Sequence, residues 1–125
     1  MIDKKVYKIL FFAWWAVILV LTSYPKLRSP VDDSLNFDKL AHCLVYFIYA
    51  WLFVKMHGNN ISSKTLKKLL LLALIIPLFD ELHQIPIPGR GFSGWDILAD
   101  LIGFAIVIFI FRKKISNRRS SHYED

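Results

Sequence analysis

The sequence predicts an all-α membrane protein: a bundle of four transmembrane helices, built as two helical hairpins, with both termini cytoplasmic. Three observations predict it. The 125 residues are 55% hydrophobic and 15% aromatic, with mean hydropathy +0.42, high for a soluble domain and ordinary for a small membrane protein. The apolar residues gather in four runs separated by stretches rich in Pro, Gly, Asn, Ser and charge. The basic residues, which set the net charge of +6, lie in clumps at alternate ends of those runs.

Residues 1–8, MIDKKVYK, form a short basic head. Ile9 to Leu21 reads ILFFAWWAVILVL, bulky and Trp-rich, with no small-x-small cleavage site after it. It therefore reads as a retained transmembrane helix rather than a removed signal peptide. Residues 25–37, PKLRSPVDDSLNF, are a loop. Asp38 to Met56 is the second apolar segment, polar only at its start. Residues 57–65, HGNNISSKT, are turn-rich, and Leu66 to about Ile85 is the third segment, with Pro77 inside it. Proline removes a backbone donor and crowds the carbonyl four residues back, so a kink is expected there. Ile85 to Trp95 is a loop or re-entrant stretch, Asp96 to Phe111 the fourth segment, and 112–125 a basic, frayed cytoplasmic tail. The transmembrane domain is thus 9–111.

Orientation follows from the basic residues. With the N-terminus cytoplasmic, the inner parts hold Lys4, Lys5, Lys8, Lys55, Lys64, Lys67, Lys68, Arg112, Lys113, Lys114, Arg118 and Arg119, which is 12 of the 16. Lys26, Arg28, Lys39 and Arg90 fall outside. The positive-inside rule puts both termini in the cytoplasm and both Pro-containing loops outside.

Span length locates a polar region. A helix needs ~20 residues to cross a ~30 Å hydrocarbon core. Leu69 to Phe79 and Leu101 to Phe111 supply 11 uncharged residues each. The missing outer turns must include Asp80, Glu81, His83 and Gln84 on the third helix, and Asp96 and Asp100 on the fourth. The same reasoning puts His42, with Asp38 and Lys39, at the outer end of the second. The first helix is uniformly apolar and reads as scaffold.

Two of these helix starts echo each other. Phe37-Asp38-Lys39-Leu40-Ala41-His42 and Trp95-Asp96-Ile97-Leu98-Ala99-Asp100 both read aromatic-Asp-x-Leu-Ala-polar. The i, i+4 spacing puts Asp38 with His42, and Asp96 with Asp100, on single helix faces; Asp80 and Gln84 are spaced likewise. The candidate ligand-binding cluster is Asp38, Lys39, His42, Asp80, Glu81, Gln84, Arg90, Asp96 and Asp100. Its five carboxylates outweigh Lys39 and Arg90 by three charges, so either some acids keep their protons or a cation is bound. A purely structural network, with Lys39 and Arg90 neutralising carboxylates, is the competing reading. Tyr46, one turn after His42, could extend the polar face, although plain packing is its expected role. Trp14, Trp15, Trp51 and Trp95 are expected to face lipid or anchor at the interface.

Several chemistries are excluded. Lys and Arg punctuate apolar runs rather than share a polar face, which argues against nucleic acid. Gly89 to Gly94, GRGFSG, matches G-x-G-x-x-G in letters only, since a nicotinamide site needs a strand before it; its plain role is a tight turn delivering Arg90. Ser93 lacks the hydrolase elbow. His42, His83 and several carboxylates could ligate a metal, but no HExxH or CxxC spacing supports one, so neither a metal nor a cofactor is expected. The lone Cys43 allows no intrachain disulfide.

Taken together, Ser23-x-Pro25, Asp38-Lys39-x-x-His42-x-x-x-Tyr46, Asp80-Glu81-x-x-Gln84, Pro88-Gly89-Arg90-x-x-Ser93-x-x-Asp96, position 100 and Gly103 carry a resemblance. Over about residues 9–111 the chain resembles the VanZ-like family of small bacterial membrane proteins. It departs at Asp100, commonly Asn in the family, and at Val107, often a second glycine. The resemblance implies a multi-pass protein of the bacterial cytoplasmic membrane. The family is linked through its founding member to teicoplanin resistance, but no family mechanism carries over. The expected function is binding of a lipid-linked or amphiphilic cell-envelope ligand in an outer-leaflet polar pocket, with the bilayer as the other partner. The alternatives are an intramembrane enzyme acting on a lipid headgroup, with Glu81 or His42 in acid–base work, and a structural subunit of a membrane complex.

Overall fold

The structure, a computed structural model, describes residues 2–25, 35–58 and 60–123. Among these there are four α-helices and no strand. Most of the expected first loop, 26–34, lies outside the described residues.

Helix α1 spans Lys4–Ser23, 20 residues, opened by Asp3, whose side chain accepts from the Lys5 N–H at 3.4 Å. It stops at Tyr24, which is extended; the following Pro25 disfavours helical backbone in the residue before it. Helix α2, Leu35–Met56, begins inside the stretch expected to be loop. Helix α3, Ser63–Gln84, is capped by Ser62, whose hydroxyl accepts from the Thr65 N–H at 3.3 Å. It runs unbroken through Pro77, whose ring is fully buried.

Helix α4, Gly94–Ser121, has 28 residues and is capped by Ser93. The tail expected to fray is instead helical from Arg112 to Ser121. Arg118 and Arg119 in the last turn complement the negative end of the helix dipole.

Among the described residues, three stretches are long and apolar enough to cross a membrane: Lys4–Ser23, Phe37–Met56 and Gly94–Ser121. Helix α3 matches α2 in length, 22 residues each. However, Lys64, Lys67 and Lys68 at one end and Asp80 and Glu81 at the other dilute its hydropathy.

Neighbouring contacts fix the packing. Phe11 of α1 meets Phe53 of α2 at 5.7 Å between ring centroids, and the Trp14 indole N–H donates to the Val45 carbonyl at 3.0 Å. Trp14 is therefore held between helices rather than left to lipid. His42 of α2 meets Asp100 of α4, and Trp51 meets Phe111, so α2 and α4 run parallel. Their interface is the most extensive. Glu81 near the end of α3 meets Ser93 at the start of α4. The polar ends of α2, α3 and α4 and the C-terminal end of α1 thus gather at one end of the bundle.

The helices are apolar outward. On α3, Thr65, Leu69, Ala73, Pro77, Asp80, Glu81 and Gln84 are buried, while Leu70, Leu71, Leu74, Ile75, Leu78, Phe79 and Leu82 are exposed. The interior stripe repeats every three or four residues, as a packed helical face must. Asp80, Glu81 and Gln84 lie inside while most of its leucines lie outside, the reverse of a helix in a soluble domain.

Between α2 and α4 the close point is Gly103. A Cβ there would lie 2.4 Å from the Cys43 carbonyl oxygen and 2.8 Å from the Phe47 nitrogen, so no side chain fits. Small residues at helix crossings let backbones approach in this way. One turn on, Val107 is fully buried, so the Val in place of a second glycine is accommodated as packing. Tyr46, Tyr49 and Phe104 fill the layer beside the crossing, with ring centroids about 6 Å apart.

Candidate functional site

Each polar side chain at this end is placed by helix register. The faces predicted from i, i+4 spacing on α2 and α4 meet directly. Lys39 Nζ donates to Asp38 Oδ2 at 3.0 Å and also to Asp96 Oδ1. His42 Nδ1 lies 2.9 Å from Asp100 Oδ1, and His42 Nε2 lies 3.7 Å from Asp96 Oδ2. The two echoing hexapeptides therefore interlock, and one ammonium and one imidazole sit among three carboxylates.

Helix α3 supplies the third wall. Asp80 Oδ2 accepts from the Tyr46 hydroxyl at 2.9 Å, with Tyr46 only 1% and Asp80 only 2% exposed. Tyr46, expected to pack, both packs and reaches the polar cluster. Glu81 Oε2 accepts from the Ser93 N–H at 2.8 Å, and the Ser93 hydroxyl accepts from the Asp96 N–H at 3.3 Å. A carboxylate at the start of α4 suits the positive end of that helix. Glu81 thus ties α3 to the cap of α4 and positions Asp96.

Arg90 departs from expectation. The competing structural reading gave it a carboxylate partner. Instead its Nε donates to the Tyr24 carbonyl at 2.7 Å, its Nη2 to the Leu21 carbonyl at 2.9 Å, and its Nη1 to Gln84 Oε1 at 3.3 Å. The last carbonyls of a helix have no partner within it, and a guanidinium fork meets several at once. Helix α1, read as scaffold, therefore contributes its C-terminal end to this region. The Ser23 hydroxyl adds a contact to His83 Nε2 at 2.8 Å, which turns His83 to α1. The expected tight turn delivers Arg90: the Arg90 N–H donates to the Ile87 carbonyl at 3.1 Å, with Pro88 and Gly89 between them and Gly89 at φ +77°. Pro followed by a positive-φ Gly is the type II pattern.

A cavity of about 150 Å³ lies beside the cluster. Its walls include apolar Ile18, Leu21, Ala41 and Val45, and polar Asp38, His42, Asp80 and Arg90. Among the described residues, Asp80 Oδ1, Glu81 Oε1, Gln84 Nε2 and Asp100 Oδ2 are buried without a hydrogen-bond partner. Each such group costs about 1–3 kcal/mol when nothing meets it.

All nine residues expected to form the cluster are at this end, but they serve differently. Asp38, Lys39, His42, Asp96 and Asp100 form one network, Asp80 faces it with Tyr46, Glu81 holds the α4 cap, and Gln84 and Arg90 close onto α1. The sequence reading missed the carbonyls of Leu21 and Tyr24 and the role of Ser93. The Ser93-x-x-Asp96 capping pattern was the available signal for Ser93. Backbone acceptors leave no sequence signal.

Apolar-outward helices around a buried polar cluster define a helical membrane protein. The chain belongs to the VanZ/LLP1 family, whose model matches residues 2–116. No curated protein and no solved structure matches it.

Proposed function

We propose that the chain crosses the bacterial cytoplasmic membrane four times with both termini inside, and that its polar end binds the head of a lipid-linked or amphiphilic envelope ligand from the outer leaflet. The exposed stripe from Leu70 to Leu82 supports α3 as the fourth crossing, since it offers lipid an apolar face while the acids stay inside. The distribution of Lys and Arg supports the orientation.

The observation that carries the binding reading is the cavity with apolar and polar walls, lined on its polar side by Asp38, His42, Asp80 and Arg90. Its 150 Å³ is well above the ~10–15 Å³ that one water needs. A structural subunit would explain why Lys39, Glu81 and Arg90 are paired. It gives no reason for a cavity of this lining.

Lipid identification by mass spectrometry on purified protein tests the reading. An amphiphile should co-purify with the wild type and be lost from Asp80→Asn while membrane insertion is unchanged. Equal capture by both would refute it.

A further inference from the structure

We propose that Asp38, His42 and Asp96 form a divalent-metal site of the zinc type. One ligand atom from each lies within 4.8 Å of the others. His42 Nδ1 faces Asp100 Oδ1 at 2.9 Å. A carboxylate accepting from Nδ1–H holds the lone pair on Nε2, the arrangement that orients metal-bound histidines. That Nε2 points to Asp96 Oδ2 at 3.7 Å. With metal–ligand bonds of ~2.1 Å, such a separation corresponds to an angle of about 120° at the ion, within the range of a four-coordinate site.

Two further observations point to a cation. Asp80, 2% exposed, lines the cavity that Asp38 and His42 also line, and its buried Oδ1 has no hydrogen-bond partner among the described residues. Arg90, which would have offset one acid, donates to backbone carbonyls and Gln84 instead. Lys39 is in direct contact with Asp38 and Asp96, and it stands where a metal would compete with it. The imidazole nitrogen favours zinc over magnesium or calcium, which prefer all-oxygen shells. Three protein ligands leave a position for water or a ligand oxygen, as in catalytic rather than closed structural zinc sites. This inference does not depend on amphiphile binding.

The test uses the full chain in lipid nanodiscs, stripped with chelator and titrated with Zn²⁺, reading bound zinc per chain and the thermal midpoint. The wild type should take up one zinc. His42→Asn and Asp96→Asn should lose it, and Asp100→Asn should bind about 10–100-fold more weakly. His57→Ala and His122→Ala, on residues outside the cluster, should bind as the wild type. Lys39→Met should bind more tightly and be stabilised by zinc more than the wild type, because the competing ammonium is gone. No zinc uptake by the wild type, equal uptake by His42→Asn, or no tightening in Lys39→Met would each overturn the assignment.

Discussion

Tyr46 and Asp80 share a buried hydrogen bond of 2.9 Å between α2 and α3, the phenol donating to Asp80 Oδ2. The other oxygen of Asp80 has no partner among the described residues. Tyr46 therefore makes the one described hydrogen bond to this carboxylate. Tyr46→Phe should lower stability by about 1–3 kcal/mol, the cost of stranding a buried acceptor. In an Asp80→Asn background the same change should cost less. Thermal unfolding of the four proteins in detergent measures the coupling; additive effects would argue against it.

Gly103 and Gly91 make a matched pair. A Cβ at Gly103 collides with the α2 backbone, while at Gly91 nothing lies within 4 Å. Gly103→Ala should destabilise by about 1–3 kcal/mol through overpacking. Gly91→Ala should be close to neutral. Similar midpoints for the two variants would mean that α2 and α4 do not cross closely at this point.

Arg90→Lys tests the guanidinium fork. An ammonium is a compact charge and cannot reproduce the planar set of donors that reaches Leu21, Tyr24 and Gln84. The change keeps the charge, so a purely coulombic role predicts little effect. The expected result is faster amide hydrogen exchange at the C-terminal end of α1, with the N-terminal half unchanged.

The proposed topology is open to labelling. Single cysteines at Ser63, which opens α3, and at Ile87, in the turn just after it, in a Cys43→Ala background, bracket that helix. A membrane-impermeant maleimide added outside intact cells should label the residue at 87 and not the one at 63. The reverse pattern would invert the orientation, and labelling of both would remove α3 as a crossing.

Much of the architecture was legible because it depends on local properties. The apolar runs located all four helices, although α4 continues ten residues past its run, and i, i+4 spacing gave the faces carrying Asp38 with His42 and Asp96 with Asp100. Span-length reasoning brought the polar residues of α2, α3 and α4 to one end. The failures share a cause. In the structural reading charge alone pairs Arg90 with carboxylates, yet three neutral acceptors lie within its reach. Helix α1 was read from its side chains, yet contributes through carbonyls that every helix end possesses. The sequence leaves Tyr46 two roles, packing and extension of the polar face, and the structure gives it both.

The sequence by itself determined that this chain is helical and membrane-like, and which residues form its polar end. Composition, periodicity and charge are properties of short stretches, and the distinct hydropathy of each run fixes them before any helix meets another. Only the tertiary structure decided the partners: Lys39 with Asp38 and Asp96, His42 with Asp100, Tyr46 with Asp80, Glu81 with Ser93, Arg90 with the end of α1. A hydrogen bond needs its atoms within about 3 Å, and a small rotation or slide of one helix against another changes which groups meet. The close approach at Gly103 sets that register for α2 and α4.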